Sequence, residues 1–283
     1  MANEKQKAYW THGVVKKWLA MSERVEARFA AINTAILARA SLQLGERVLD
    51  IGCGPGTTAL AAARCVGVRG HVTGIDISAP MLESARRAAA QAGLGNIAFH
   101  LADAQTDHLA PPVDGLISRF GVMFFDDPVA AFKNLHKATK PRGRLVFAAW
   151  GPLAENLHWL RPLEIVQTLV GMGETRRPHA PGPMAFADPD YVLSILAQSG
   201  WRDAAVTPTK LWLHGESLED EAQMACLLGP SAALLEEKKA TPEIVAQAHA
   251  LFRDALPRYA EILPDGRVRL EVMLSMITAT ACA

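Results

Sequence analysis

The sequence predicts an open, doubly wound α/β sheet, and three observations predict it. From residue 47 to 150, short apolar or β-branched runs alternate with Ala/Leu-rich or amphipathic stretches. The first run ends in a glycine loop, Gly52-Cys53-Gly54-Pro55-Gly56, that opens directly into a helical segment. The 283 residues are 50% hydrophobic, enough for a packed core and too many for a disordered chain. Parallel strands need helical crossovers of one hand, so such alternation implies a sheet covered on both faces.

Each element follows from local pattern. Residues 3 to 40 read as helix, because Val14, Val15, Trp18 and Leu19, then Val25, Phe29, Ile32, Ile36 and Leu37, recur near helical spacing. Arg47 to Ile51 is a short run stopped by glycine and reads as a buried strand. Thr57 to Val66 is the first crossover helix, His71 to Ile77 the second strand, and Ala79 to Gly93 a helix with a glycine stop. Ile97 to Leu101, Gly115 to Ser118 and Arg144 to Trp150 complete the strands, with Pro128 to Thr139 as the helix before the last. Beyond Trp150 the pattern loosens. Residues 151 to 187 are proline-punctuated (Pro152, Pro162, Pro178, Pro181, Pro183) around a helix near 160–171, then Ala187 to Gly200 reads as helix and Ala204 to Leu213 as strand. Residues 217 to 260 read as a helical insertion and Val268 to Ala279 as a final strand. The organisation expected is a helical lid (1–40), a ligand-binding core (41–150), and the rest of the sheet with cap insertions (151–283, inserted near 151–187 and 217–260).

Composition excludes several partners. With 29 basic and 29 acidic residues, a broad electrostatic grip on nucleic acid is not expected. Cys53, Cys65, Cys226 and Cys282 are too scattered for a zinc site or a disulfide framework. The start MANEKQKAYW lacks the apolar stretch of a secretory signal, and no run approaches the ~20 apolar residues of a membrane span. A cytoplasmic protein is the expectation, its oligomeric state left open with a homodimer allowed.

The glycine loop carries the chemistry. In such sheets ligands bind beyond the carboxyl ends of the strands, and glycines there let backbone approach a ligand closely. Asp76 ends the next strand, 24 residues after Gly52, where a carboxylate can accept both hydroxyls of a ribose. A dinucleotide loop would read GxGxxG and hold a pyrophosphate on the helix terminus. Here the spacing is GxGxG with Asp50 just before it. That carboxylate repels a pyrophosphate but suits the ammonium of an amino-acid tail. The pattern therefore favours S-adenosylmethionine.

Val48-Leu49-Asp50-Ile51-Gly52-Cys53-Gly54-Pro55-Gly56-Thr57 resembles the first motif of class I S-adenosylmethionine-dependent methyltransferases. Gly74-Ile75-Asp76-Ile77-Ser78 resembles the ribose motif, and Pro80-Met81-Leu82 the helix start of the ubiquinone/menaquinone-biosynthesis-like branch. Leu101-Ala102-Asp103-Ala104 resembles the adenine motif, and Lys140 to Leu145 the turn before strand five, with Arg142 where a glycine is usual. The resemblance implies a Rossmann-like, mostly parallel sheet of seven strands with a reversed last hairpin. It implies that Gly52, Gly54 and Gly56 face the methionine portion, Asp76 holds the ribose and Ile77 and Met81 sandwich adenine. Asp103 and Ala104 would read the adenine edge, and the backbone of Ser118, Arg119 and Phe120 would meet the amino-acid tail. A left-handed Arg142 would be strained, tolerably so on a surface turn.

Single residues also have plainer readings. Asp50 and Asp76 fit helix or loop caps, Asp103 a turn, Cys53 a small buried filler, and Arg119 to Phe125 core packing as readily as a cavity wall. Tyr9, Trp10 and Trp18 suit either a lid of π faces over a sulfonium or a helix packed on the sheet. His12 and His158 are the candidate catalytic groups, with His179 and His214 near the same segments, although surface histidines are commoner. The acidic run Glu216, Glu219, Asp220 and Glu221 reads as a solvated helix start. Methyl transfer needs alignment above all, and a base only for a protonated nucleophile. The apolar Trp150, Leu153, Leu157, Trp159, Leu160 and Met184 to Phe186 point to a small hydrophobic acceptor. The alternatives are a cofactor-binding regulatory protein that does not methylate, and an NAD-dependent oxidoreductase.

Overall fold

The computed structural model describes residues 3–109, 111–175 and 177–282. The N-terminal segment forms α1 (Glu4–Ala8), a π turn at Tyr9–Gly13, α2 (Val15–Ala20), α3 (Ser22–Arg28) and α4 (Ala30–Ala40). The predicted helical stretch is thus bent rather than straight, with breaks at Met21 and Phe29, where ψ rises to 8° and 9°. The bends wrap the segment over the sheet's end, so that Val15, Val25, Ile32 and Ile36 are all buried.

The core then runs β1 (Arg47–Ile51), α5 (Thr57–Val66), β2 (His71–Asp76), α6 (Ala79–Gln91), β3 (Ile97–Leu101), β4 (Val113–Arg119), α7 (Pro128–Lys137) and β5 (Thr139–Trp150). After it come α8 (Leu157–Val170), α9 (Pro189–Gln198), β6 (Trp201–Gly215), α10 (Leu218–Leu227), α11 (Gly229–Glu237), α12 (Pro242–Ala255), β7 (Ala260–Ile262) and β8 (Val268–Ala281). The sheet order is β3-β2-β1-β4-β5-β8-β6, with β7 also on β8. β1 to β5 are parallel, and β8 is antiparallel to β5 and β6. This is the expected mostly parallel sheet with a reversed last hairpin.

The eighth strand was not expected. β8 reaches past the end of β5, since Trp150 already pairs with Leu274, and β7 covers the edge left at Val268 to Leu270. Three residues are too few to show a strand period in sequence. β5 begins at Thr139, five residues before the expected Arg144, so Arg142 lies within the strand where its register with β4 shifts, and not in a preceding turn; it is exposed and left-handed at φ 62°, as the resemblance implied.

The strand order reverses between β1 and β4, because the chain leaves the edge strand β3 and returns beside β1. The carboxyl ends of β1 and β4 therefore diverge into a crevice, the position where open α/β sheets bind ligands. The N-terminal helices and α8, α10, α11 and α12 enclose that crevice. No helix among the described residues is long and apolar enough to cross a membrane.

Candidate active site

The loop after β1 is built of left-handed backbone. Gly52 and Gly54 have φ of 62° and 53°, a region that costs any other residue dearly. Gly52 also has no room for a side chain, since a Cβ there would lie 2.7 Å from the Cα of Gly121. Glycines 52 and 121 thus let the loops after β1 and β4 touch backbone to backbone at the switch point. The Gly54 amide donates to Oδ2 of Asp76 at 2.9 Å, and the Ser78 amide to Oδ1 at 2.8 Å, so loop and second strand are tied together. Burial raises the Asp76 pKa, while the amides of Ser78, Gly54 and Ile77 pull it back down.

These residues line one cavity of about 1020 Å³. Tyr9, Trp18, Asp50, Gly52, Gly54, Asp76, Ile77, Met81, Asp103, Ala104, Arg119 and Phe120 all face it, as the sequence suggested, and so does His158. Three expected residues do not line it. Gly56 sits behind the loop, packed on Ala85, Leu60 and Phe99, where its positive φ starts α5. Ser118 is fully buried and braces the loops, donating to the Ile51 carbonyl at 2.7 Å and accepting from the Gly121 amide. His12 is exposed on the π turn. Of the other histidines, His179 reaches the cavity and stacks on Tyr191, whereas His214 is exposed.

Asp50 is the most unusual group. It is 1% exposed, and neither carboxylate oxygen has a hydrogen-bond partner of normal geometry among the described residues. Burial pushes its pKa up to about 8, partly offset by Arg119 and a weak approach of the Ala59 amide and reinforced by Asp76. A buried carboxylate without partners is costly, and one aimed into a cavity suits a cationic ligand group. The donor set thus fits an amino-acid ammonium at Asp50 and a nucleoside along Asp76, Ile77 and Met81.

Tertiary contacts supply residues that sequence alone could not nominate. The side-chain amide of Asn3 donates to both oxygens of Asp103 at 2.8 and 3.0 Å, and accepts from the Asp126 amide at 2.7 Å. The Ser78 hydroxyl donates to the Trp10 carbonyl at 2.7 Å, and Trp10 packs edge-on to Tyr9, Trp18 and Phe124. Arg119 makes a two-pronged pair with Glu26, both contacts at 2.7 Å. These contacts fix the N-terminal segment over the loop. Arg28 pairs with Glu221 and Arg24 with Asp220. The acidic run at the start of α10 is therefore not simply solvated, for Glu221 is 3% exposed. Cys53 is buried and its thiol is pushed well up by burial, the inert filler expected.

On the far side the cavity is aromatic. Phe120, left-handed at φ 66°, lies flat on Trp150 at 4.7 Å, and Trp159 packs on Trp150 at 4.2 Å. A bulky residue in that backbone region is a strain of the kind that clusters at functional sites. His158 is placed by its neighbour Asn156, whose amide donates to the Pro152 and Met273 carbonyls at 3.0 Å and whose oxygen accepts from the Met273 amide.

Comparison with known proteins agrees with this geometry. Residues 42–169 match the family model described as a methyltransferase domain. The chain is 41% identical over 106 residues to aklanonic acid methyltransferase of Streptomyces sp. (strain C5), covering 37% of this chain and 48% of that protein. It is 32% identical over 184 residues to nocamycin O-methyltransferase of Saccharothrix syringae, covering 62% and 66%. The chain thus spans half to two thirds of the length of these curated relatives. Among solved structures, the YcgJ protein of Bacillus subtilis superimposes with a TM-score of 0.56 over 89% of this chain and 98% of that one, at 15% identity, a likeness of fold.

Proposed function

Since residues 42–169 match a methyltransferase domain, we propose that the chain transfers methyl from S-adenosylmethionine to a small hydrophobic acceptor. One observation carries the reading: a single cavity joins the glycine loop and unpartnered Asp50 to an apolar aromatic chamber. When bound, the cofactor supplies an electrophilic methyl on a sulfonium. Asp50 would hold its ammonium, the Gly52 and Gly54 backbone its methionine portion, and Asp76 its ribose. Ile77 and Met81 would flank adenine, with Asp103 and Ala104 at its edge and the Phe120 backbone at the tail. Residues 1–40 act as a lid, 41–150 as the cofactor core, and 151–283 complete the sheet and cap the acceptor. Tyr9, Trp10 and Trp18 exclude water from the reacting centre, and His158 faces the acceptor, whereas exposed His12 is left without a part.

The names of the relatives, which act on aklanonic acid and as a nocamycin O-methyltransferase, support a small organic acceptor. Balanced charge supports the same view over a nucleic acid, and free thiols at all four cysteines fit the cytoplasm. Calorimetry with S-adenosylmethionine, S-adenosylhomocysteine and NAD tests the reading. Binding of both adenosyl ligands and not NAD is expected, and NAD binding alone would overturn it. Screening acceptors for adenosylhomocysteine release then separates an enzyme from a non-methylating binder.

A further inference from the structure

The aromatic side of the cavity holds few buried polar groups, and their state is specific. His158 lies 5.4 Å from the Trp150 ring and 5.2 Å from Trp159, is 7% exposed, and has no partner at either ring nitrogen among the described residues. The buried phenolic oxygen of Tyr259, which follows α12, also lines the cavity and also lacks a partner. Arg28 and Glu221 face the same cavity but bind each other, so neither offers a free charge. Burial, with Arg28 nearby, holds the imidazole well below its ordinary range and therefore neutral.

Buried polar atoms without partners each cost about 1–3 kcal/mol. Two of them facing one apolar chamber call for a ligand that completes both. A neutral imidazole offers one acceptor and one donor, and a phenol offers both functions. An ammonium substrate would need a buried, unengaged carboxylate here: Glu221 is taken, and Glu174, Glu236 and Glu237, which also line the cavity, are solvent-exposed. A hydroxyl fits: it donates to the bare imidazole nitrogen and accepts from a phenolic O–H.

We propose that the atom methylated is an oxygen, the hydroxyl of a flat and largely apolar phenol or enol, recognised by His158 with Tyr259 donating to the same ligand. The proposal rests on the methyltransferase reading above. In the step it implies, the hydroxyl proton passes to His158 while an oxygen electron pair forms the C–O bond to the methyl carbon. The C–S pair returns to sulfur, leaving a methyl ether, a thioether and an imidazolium that releases its proton to water.

The test is titration of the full chain, first with adenosylhomocysteine, then at saturation with naphthalene, 2-naphthol and 2-naphthylmethylammonium as probes. A site that hydrogen-bonds a hydroxyl discriminates strongly against analogues lacking it. The expected result is 2-naphthol at least ~10-fold tighter than naphthalene, with the ammonium weaker than both. His158→Ala and Tyr259→Phe should each remove most of that advantage while leaving naphthalene affinity within about twofold, a split that loss of folding cannot mimic. Preference for the ammonium, a hydroxyl advantage that survives in both variants, or no probe binding would overturn the oxygen assignment alone. Failure of adenosylhomocysteine to bind would overturn the methyltransferase reading, and the proposal with it.

Discussion

Asp50 concentrates the electrostatics of the site in one side chain. A carboxyl with a folded-state pKa near 8, above its ordinary unfolded value, favours folding in its protonated form. That contribution is whole below about pH 4 and is lost as pH rises toward about 8. The ligand-free protein should therefore lose stability across that window, and Asp50→Asn should flatten the loss, as read from urea midpoints between pH 5 and 8.5. The same substitution removes the charged partner of the ligand's ammonium. A charge-assisted hydrogen bond is worth about 1.5–3 kcal/mol, so affinity for adenosylhomocysteine should fall roughly ten- to a hundredfold. An unchanged Kd would show that Asp50 is structural. Asp50 was nominated from its place before the glycines, but its want of partners was invisible in sequence, because burial depends on which distant elements cover it. Asn3, 100 positions from Asp103 in sequence, carried no signal at all.

At the scale of elements, the N-terminal helices are held by a few discrete ties. Arg28 of α3 and Glu221 of α10 form a buried pair, and burial lowers the Arg28 pKa to about 10. Removing one partner strands a charge, so Arg28→Ala should cost about 3–5 kcal/mol of unfolding free energy, whereas the double change Arg28→Met with Glu221→Leu should cost far less. Equal losses in both would mean that packing, not charge, dominates. Ser78→Ala deletes the hydroxyl bond to the Trp10 carbonyl. With about 1 kcal/mol lost, amide hydrogen exchange over residues 9–20 should quicken about fivefold while the sheet is unaffected. Most helices and strands from 47 to 150 were readable to within two residues, because each has its own period and stop signal, though β5 starts at Thr139 and not at Arg144. The bends at Met21 and Phe29 and the short β7 were not, for both answer to the shape of what they cover.

For the molecule as a whole, the cavity joins lid, sheet and cap, so a ligand that fills it should stabilise all three. At 100 times its Kd adenosylhomocysteine should add about 2.7 kcal/mol, raising the melting temperature by roughly 4–5 °C for a chain of this size. Asp76→Ala should abolish most of that rise and leave the ligand-free fold intact, as judged by circular dichroism. A full ligand response in that variant would remove Asp76 from the ribose role. The sheet itself runs on past residue 200, for β8 pairs with β5 and β6 with β8.

What the sequence determined by itself is the α/β alternation, the glycine loop and its acidic neighbours, and hence the cofactor, since these are properties of contiguous residues whose backbone needs are local. Only the tertiary structure decided that Gly56 and Ser118 support the loop without lining the cavity, that His158 is buried and His12 exposed, and that Glu221 neutralises Arg28. Those outcomes depend on contacts between residues up to about two hundred positions apart. The desolvation that gives a buried polar group its chemistry is set by everything packed around it, and no local pattern records that.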